Sequence, residues 1–126
     1  MKTVLVVEDS RAAFEILRHT LAGNDKYRVE YFCKNGDKLL EEYELHKPDI
    51  VVMDIILAGL NGIEITRRLK AVYPEARVVI ITSISYQELW NEAFEAGAMA
   101  YIQKPYHLEQ VIQAFDAALE NHGFQT

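Results

Sequence analysis

The sequence predicts an α/β domain in which helices cover both faces of a parallel sheet. Two observations carry this. Short β-branched runs alternate along the chain with longer stretches whose apolar residues recur at helical spacing. The short runs are continuously apolar rather than alternating, which is the pattern of strands buried on both faces. The chain has 126 residues, is expected to form a single domain over 1–126, and is 50% hydrophobic, enough for a core without disulfide or metal support.

Residues 3–7 read as the first strand. Residues 11–22 follow as a helix with Phe14, Leu17 and Leu21 on one stripe, closed by Gly23, Asn24 and Asp25. Residues 27–32 form a second strand, less apolar and therefore nearer an edge. A helix over 36–43 carries Leu39 and Leu40, with Asn35 placed to cap it. Pro48 and Asp49 lead into a strand at Ile50–Met53. Gly59 and Gly62 flank a loop, and the helix over 63–72 stops before Pro74. Residues 77–81 are the fourth strand. Ser85 and Glu88 have the spacing of a capping box and open a helix that ends at Ala96, with Gly97 as the stop. The last strand is Ala100–Gln103 and the last helix 108–120. Right-handed crossovers then restrict the topology to few arrangements.

Composition excludes several classes of function. A formal net charge of −6 opposes non-specific binding to nucleic acid. The basic trio Arg67, Arg68 and Lys70 lies on a predicted helix and reads as a solvated face. No apolar run approaches the ~20 residues of a membrane span, and the run over 4–7 is too short for a signal-peptide core. The single cysteine, Cys33, follows Tyr31 and Phe32 and reads as a buried thiol. A reducing, cytoplasmic setting is expected. His19, His46, His107 and His122 are scattered without metal-ligand spacing.

In open parallel sheets, ligands bind beyond the carboxyl ends of the strands. The predicted first strand ends in Glu8 and Asp9, the third in Asp54, the fourth in Thr82 and Ser83, and the fifth in Lys104 and Pro105. Three carboxylates on one edge repel one another and need protons or a cation. An oxygen-only set suits Mg²⁺. Such an ion would also neutralise an incoming phosphoryl group, with Lys104 as a second positive contact, Thr82 as a hydrogen-bond donor and Asp54 as the nucleophile. Each residue alone has a plainer role: helix cap, turn or loop. Their coincidence at one edge points to phosphoryl chemistry.

This set, in this order and spacing, resembles the receiver domain of bacterial response regulators over nearly the full chain. Glu8 and Asp9 resemble the family's acidic pair, Asp54 in Val-Val-Met-Asp-Ile its phosphorylated aspartate, Thr82 its switch hydroxyl, and Lys104-Pro105 its lysine and following proline. Gly59 and Gly62 fall where its loop glycines fall, and Tyr101 where its switch aromatic falls. The resemblance implies a doubly wound, five-stranded flavodoxin-like fold with strand order 2-1-3-4-5. It implies Mg²⁺ held by Asp9, Asp54 and the backbone carbonyl of Ile56, with Glu8 acting through water. It implies a phosphohistidine donor on a sensor histidine kinase or phosphotransfer protein, and a cis Lys104–Pro105 peptide, a form open to proline. The output partner would be read by the face of helix 86–96, strand 100–103 and helix 108–120. Phosphorylation would draw Thr82 toward Asp54, and Tyr101 would turn inward. Such a protein is a signalling switch and not an enzyme in the usual sense.

The sequence also departs from the family pattern. Leu57-Ala58-Gly59 replaces the usual Met-Pro-Gly, which loosens that loop. Met99-Ala100 stands where DNA-binding relatives carry two acids used in receiver dimers, which disfavours that dimer. Ile56 and Ile84 flank the expected phosphoryl site and cannot orient an attacking water, so the phosphorylated state is expected to be long-lived. Trp90, beside the inward stripe of its helix, is either an exposed partner anchor or a side chain partly buried in the core, with Tyr86, Tyr101 and Tyr106 as candidates for the same surface. A flavin carrier on this fold needs a phosphate-binding loop where Glu8 and Asp9 stand. A dinucleotide enzyme needs a G-x-G-x-x-G turn that is missing there. The remaining rival is a phosphorylation-independent, receiver-like binding module, against which the intact set Asp9, Asp54, Thr82 and Lys104 argues.

Overall fold

The apolar runs become strands and the periodic stretches become helices. In a computed structural model that describes residues 1–84 and 86–120, the elements run β1 (Lys2–Val7), α1 (Arg11–Leu21), β2 (Tyr27–Cys33), a 3-10 turn (Gly36–Lys38) continuing into α2 (Leu39–His46), and β3 (Ile50–Met53). A short pair of strands follows, β4 (Ile56–Leu57) and β5 (Leu60–Asn61). The chain continues with α3 (Gly62–Val72), β6 (Val78–Thr82), α4 (Gln87–Ala96), β7 (Ala100–Gln103) and α5 (Leu108–Leu119). The predicted cap at Ser85, and His122 with the rest of the tail, lie outside the described residues.

A 5-stranded parallel sheet has the order β2-β1-β3-β6-β7, which is 2-1-3-4-5 once the short pair is set aside. Alternate residues of each strand enter opposite cores. On one face Leu5, Val7, Val51, Met53, Val78 and Ile80 pack under α2, α3 and α4. On the other, Val4, Val6, Ile50, Val52, Val79 and Ile81 pack under α1 and α5. The side chains of Val7, Met53 and Ile80 are fully buried, so the strand ends that carry the polar edge rest on rigid packing.

The edge position predicted for the second strand holds: exposed Arg28 and Glu30 alternate with buried Tyr27 and Val29. The β1–β2 register runs from Val4 opposite Val29 to Leu5 opposite Tyr31, so Glu30 is an extra residue on the edge strand. Its carboxylate lies 2.6 Å from Arg28.

Three boundaries differ from the sequence expectation. Residues 56–61, expected as a loop, form the antiparallel pair β4–β5, turned at Gly59 with φ +72°. Helix α2 runs past Tyr43 to His46 and stops at Lys47, whose left-handed φ of 44° replaces the usual glycine. Helix α4 starts at Gln87, with Tyr86 in the cap position and no side-chain cap bond. Asn35 does cap its turn, accepting from the Asp37 N–H. Ser10 caps α1 by accepting from the Ala13 N–H.

Away from the polar edge, α5 is tied to the sheet by Asp116. The buried Tyr27 hydroxyl donates to it at 2.5 Å and the Lys26 ammonium at 2.8 Å. Partial burial opposes ionisation of Asp116, but these two donors outweigh it and its pKa lies below the ordinary aspartate value. Its stabilisation is therefore full above the unfolded-state value and fades as pH falls through the lower folded-state value. Asp116→Asn should cost about 1–2 kcal/mol at pH 7, toward the low end of the ~1.5–3 kcal/mol of a hydrogen bond to a charged group because the site is partly exposed. Urea unfolding of wild type and variant should show that gap constant from pH 8 down to about 4 and shrinking below.

Candidate functional site

The carboxyl ends of β1, β3, β6 and β7 meet at one edge because parallel strands all point the same way. Glu8 and Asp54 follow β1 and β3 directly, and both are buried, at 6% and 8% exposure. Lys104, just beyond β7, places its ammonium between them, 3.3 Å from Glu8 Oε1 and 3.0 Å from Asp54 Oδ2. The other Asp54 oxygen, Oδ1, accepts the Ile56 N–H at 3.2 Å. Glu8 also accepts the Ser10 N–H at 3.4 Å. The Lys104–Pro105 peptide is cis, as expected, and the Lys104 N–H donates to the Thr82 carbonyl at 2.8 Å.

Charge at this edge does not balance locally. Burial raises the Glu8 carboxyl above the ordinary glutamate pKa; Lys104 opposes the rise and the Asp54 charge adds to it. Burial works against the Lys104 ammonium, but its bonds and attraction to Asp54 and Glu8 outweigh this and its pKa rises. One ammonium thus serves two buried carboxylates, a surplus of negative charge on oxygen donors that fits a hard divalent cation. Among the described residues no three acid, imidazole or thiol side chains already converge on one point. A cation here would therefore combine one or two carboxylates with backbone oxygen and water, the coordination habit of Mg²⁺.

Asp9 is half-buried and lines the adjoining groove with Lys34, Asn35, Asp37 and Leu57. Thr82 is fully buried, and its Oγ1 accepts the Ile84 N–H at 3.5 Å. The Tyr101 ring is inward, 6% exposed, and its hydroxyl donates to the Ile84 carbonyl at 2.6 Å. Ile56 is 58% exposed at the rim and Ile84 is half-buried. Trp90 is 39% exposed and packs on Tyr101, with ring centroids 5.6 Å apart.

One grouping needs correction. Tyr106 does not join Tyr101 and Trp90. It packs against the opposite core, over α1, and lines a groove with Ala13, Ile16 and Thr20. Sequence reasoning also missed the reason for Gly62. A Cβ there would collide with the carbonyl of Asp54 and the Cα of Ile55, all backbone atoms. The signal was in the sequence, a glycine at the first position of a helix next to the acidic loop, but only the folded backbone supplies its neighbour.

Fold and edge together define a doubly wound α/β protein with an acidic, lysine-bridged site at its strand ends. The chain belongs to the response regulator receiver domain family, whose sequence model matches residues 4–116. It is 34% identical over 118 residues to the chemotaxis protein CheY of Halobacterium salinarum, covering 94% of this chain and 97% of that one. It resembles the solved LuxR-family two-component response regulator of Aurantimonas sp. SI85-9A1, with 30% identity, a TM-score of 0.90 and coverage of 98% of this chain and 88% of that one. It also resembles the BeF3-activated DrrB receiver domain, with 30% identity, a TM-score of 0.79 and coverage of 95% and 98%. Receiver domains are signalling modules of the phosphorylation-switched type, not enzymes in general, and the family binds Mg²⁺. Among the described residues no helix is long and apolar enough to cross a membrane.

Proposed function

We propose that residues 1–126 act as one receiver domain in the cytoplasm, taking a phosphoryl group onto Asp54 from a phosphohistidine of a sensor kinase or phosphotransfer protein. The observation that carries this is the Lys104 ammonium held between two buried carboxylates at the strand ends. Asp54 is positioned for attack because both of its oxygens are oriented, Oδ1 by the Ile56 N–H and Oδ2 by Lys104. An Asp54 oxygen forms the new O–P bond as the donor's P–N bond breaks, and the imidazole keeps the electron pair and gains a proton. Lys104 then exchanges its contact with the carboxylate for one with a phosphoryl oxygen. Asp9, Asp54 and the Ile56 carbonyl, with Glu8 through water, would hold Mg²⁺, which would supply charge neutralisation for the phosphoryl oxygens. Thr82 closes on the phosphoryl group, and the α4–β7–α5 face, rather than any nucleic-acid surface, is read by an output protein.

The test is mass spectrometry after incubation with acetyl phosphate, with and without Mg²⁺, on wild type and Asp54→Asn. A single phosphoryl addition that requires both the ion and Asp54 is expected. No addition under any condition, phosphorylated kinase included, transfers the function to a phosphorylation-independent binding module.

The isoleucines at the rim set a second expectation. Neither Ile56 nor Ile84 can hold a hydrolytic water, so the phosphorylated protein should persist for minutes or longer. Ile56→Gln should shorten that lifetime about tenfold, the change one oriented hydrogen bond of ~1.4 kcal/mol makes in a rate. Acid-quenched time courses with labelled phosphate measure both, and a wild-type half-life of seconds refutes the assignment.

A further inference from the structure

Tyr101 lies on β7, an edge strand of the sheet, and among the described residues no further strand covers its outer flank. The cover comes from α4. That helix fully buries Ala93 and Ala96 against the sheet, with Leu89 and Phe94 partly buried beside them, and two alanines leave room above β7 between these larger side chains. The Tyr101 ring occupies that room. Trp90, one turn before Ala93, lies over it at 5.6 Å and 42°, and Phe94 meets the indole edge-on at 6.1 Å. The Tyr101 hydroxyl reaches the Ile84 carbonyl at 2.6 Å, and the Ile84 N–H turns back to Thr82. The loop after β6 is therefore tied on one side to the switch hydroxyl and on the other to the tyrosine.

We propose that Trp90 is a clamp that holds Tyr101 inward before any phosphoryl group arrives. The inward ring is the position that the proposed switch assigns to the phosphorylated state, and the inference rests on that reading for its meaning. Turning Tyr101 outward would empty the space beside Ala93, leave the Ile84 carbonyl without its donor and strip one face of the indole. All three losses come from residues of this chain and none depends on Asp54. A ligand shifts a two-state equilibrium only by its preference for one state. With the ring already inward, phosphorylation has little of this particular motion left to drive. The half-exposed face of Trp90 then gives an output protein a preformed anchor.

Incorporation of 3-fluorotyrosine, with Tyr101 assigned through Tyr101→Phe, tests this in unphosphorylated protein with a soluble paramagnetic relaxation agent. The Tyr101 resonance of wild type should be shielded, and beryllofluoride with Mg²⁺ should change its relaxation little. Trp90→Ala should shift the inward-to-outward ratio about fivefold toward outward, the scale of one aromatic pair, and raise relaxation accordingly. Trp90→Phe should keep most of the shielding and control for loss of fold, alongside far-UV circular dichroism. A wild-type Tyr101 as exposed as free tyrosine, or a folded Trp90→Ala protein with unchanged shielding, overturns the clamp. Beryllofluoride with Mg²⁺ should return Tyr101 inward in Trp90→Ala. If it does not, the phosphoryl switch fails while the clamp, read without beryllofluoride, stands.

Discussion

Lys104→Met should unfold at distinctly lower urea concentration than wild type in metal-free buffer at pH 7, with a loss of about 2–3 kcal/mol. The range for breaking a fully buried pair is ~3–5 kcal/mol, and Lys104, with 29% of its side chain exposed, should fall below it. The cost arises because Glu8 and Asp54 stay buried while their shared cation is gone. Two further measurements separate this from lost packing. Adding Glu8→Gln to the variant should recover much of the stability, since one of the two like charges is removed. Adding Mg²⁺ should stabilise Lys104→Met more than wild type, because the ion no longer competes with a resident ammonium. A metal-free Lys104→Met protein as stable as wild type would show that the edge tolerates its charge unaided.

The second large effect is expected at Gly62. Alanine there must push apart the first turn of α3 and the backbone after Asp54, and neither can yield as a flexible side chain would. The Gly62 N–H also donates to the Ile55 carbonyl at 2.8 Å, which pins the two segments together. Overpacking of ordinary side chains costs ~1–3 kcal/mol, and this backbone contact should reach about 3 kcal/mol. Gly59→Ala is the control. Its φ of +72° carries only left-handed strain, ~1–2 kcal/mol, and open space surrounds it. Urea midpoints should therefore fall more for Gly62→Ala. Its phosphoryl uptake should fall as well, because Asp54 moves with its carbonyl, whereas Gly59→Ala should retain uptake. Equal losses at the two glycines would refute the steric argument.

How far these features could be read in advance depended on their range. The inner strands of the sheet were legible because continuous apolar runs such as Val78–Thr82 have one good use, burial on both faces. The site edge followed, since a parallel sheet brings Glu8, Asp54, Thr82 and Lys104 to one side without further information. The β4–β5 pair was not legible, because two-residue strands are too short for periodicity to register. The end of α2 was missed because a lysine, not a glycine, takes the left-handed position. Side-chain choices between neighbours were beyond sequence altogether. Nothing in the order Glu8-Asp9 says that the first acid is the one bridged by Lys104 while the second faces the groove beside Lys34. The aromatic grouping failed for the same reason, with Tyr106 on the far side of the sheet from Trp90.

The extra residue on β2 bears on how the molecule behaves in crowded solution. An edge strand leaves a row of backbone donors and acceptors that can recruit a strand from another molecule. Here the row is broken at Glu30, where the bulge shifts the register and sharpens the twist, and the Arg28–Glu30 pair hangs charge over the same stretch. A sister chain sliding along this margin meets a misaligned ladder and a carboxylate that would have to be desolvated. The irregularity therefore works as a guard against fibre growth and strand exchange, and it sits on the margin of the sheet opposite β7, so the guard leaves the Trp90 face free.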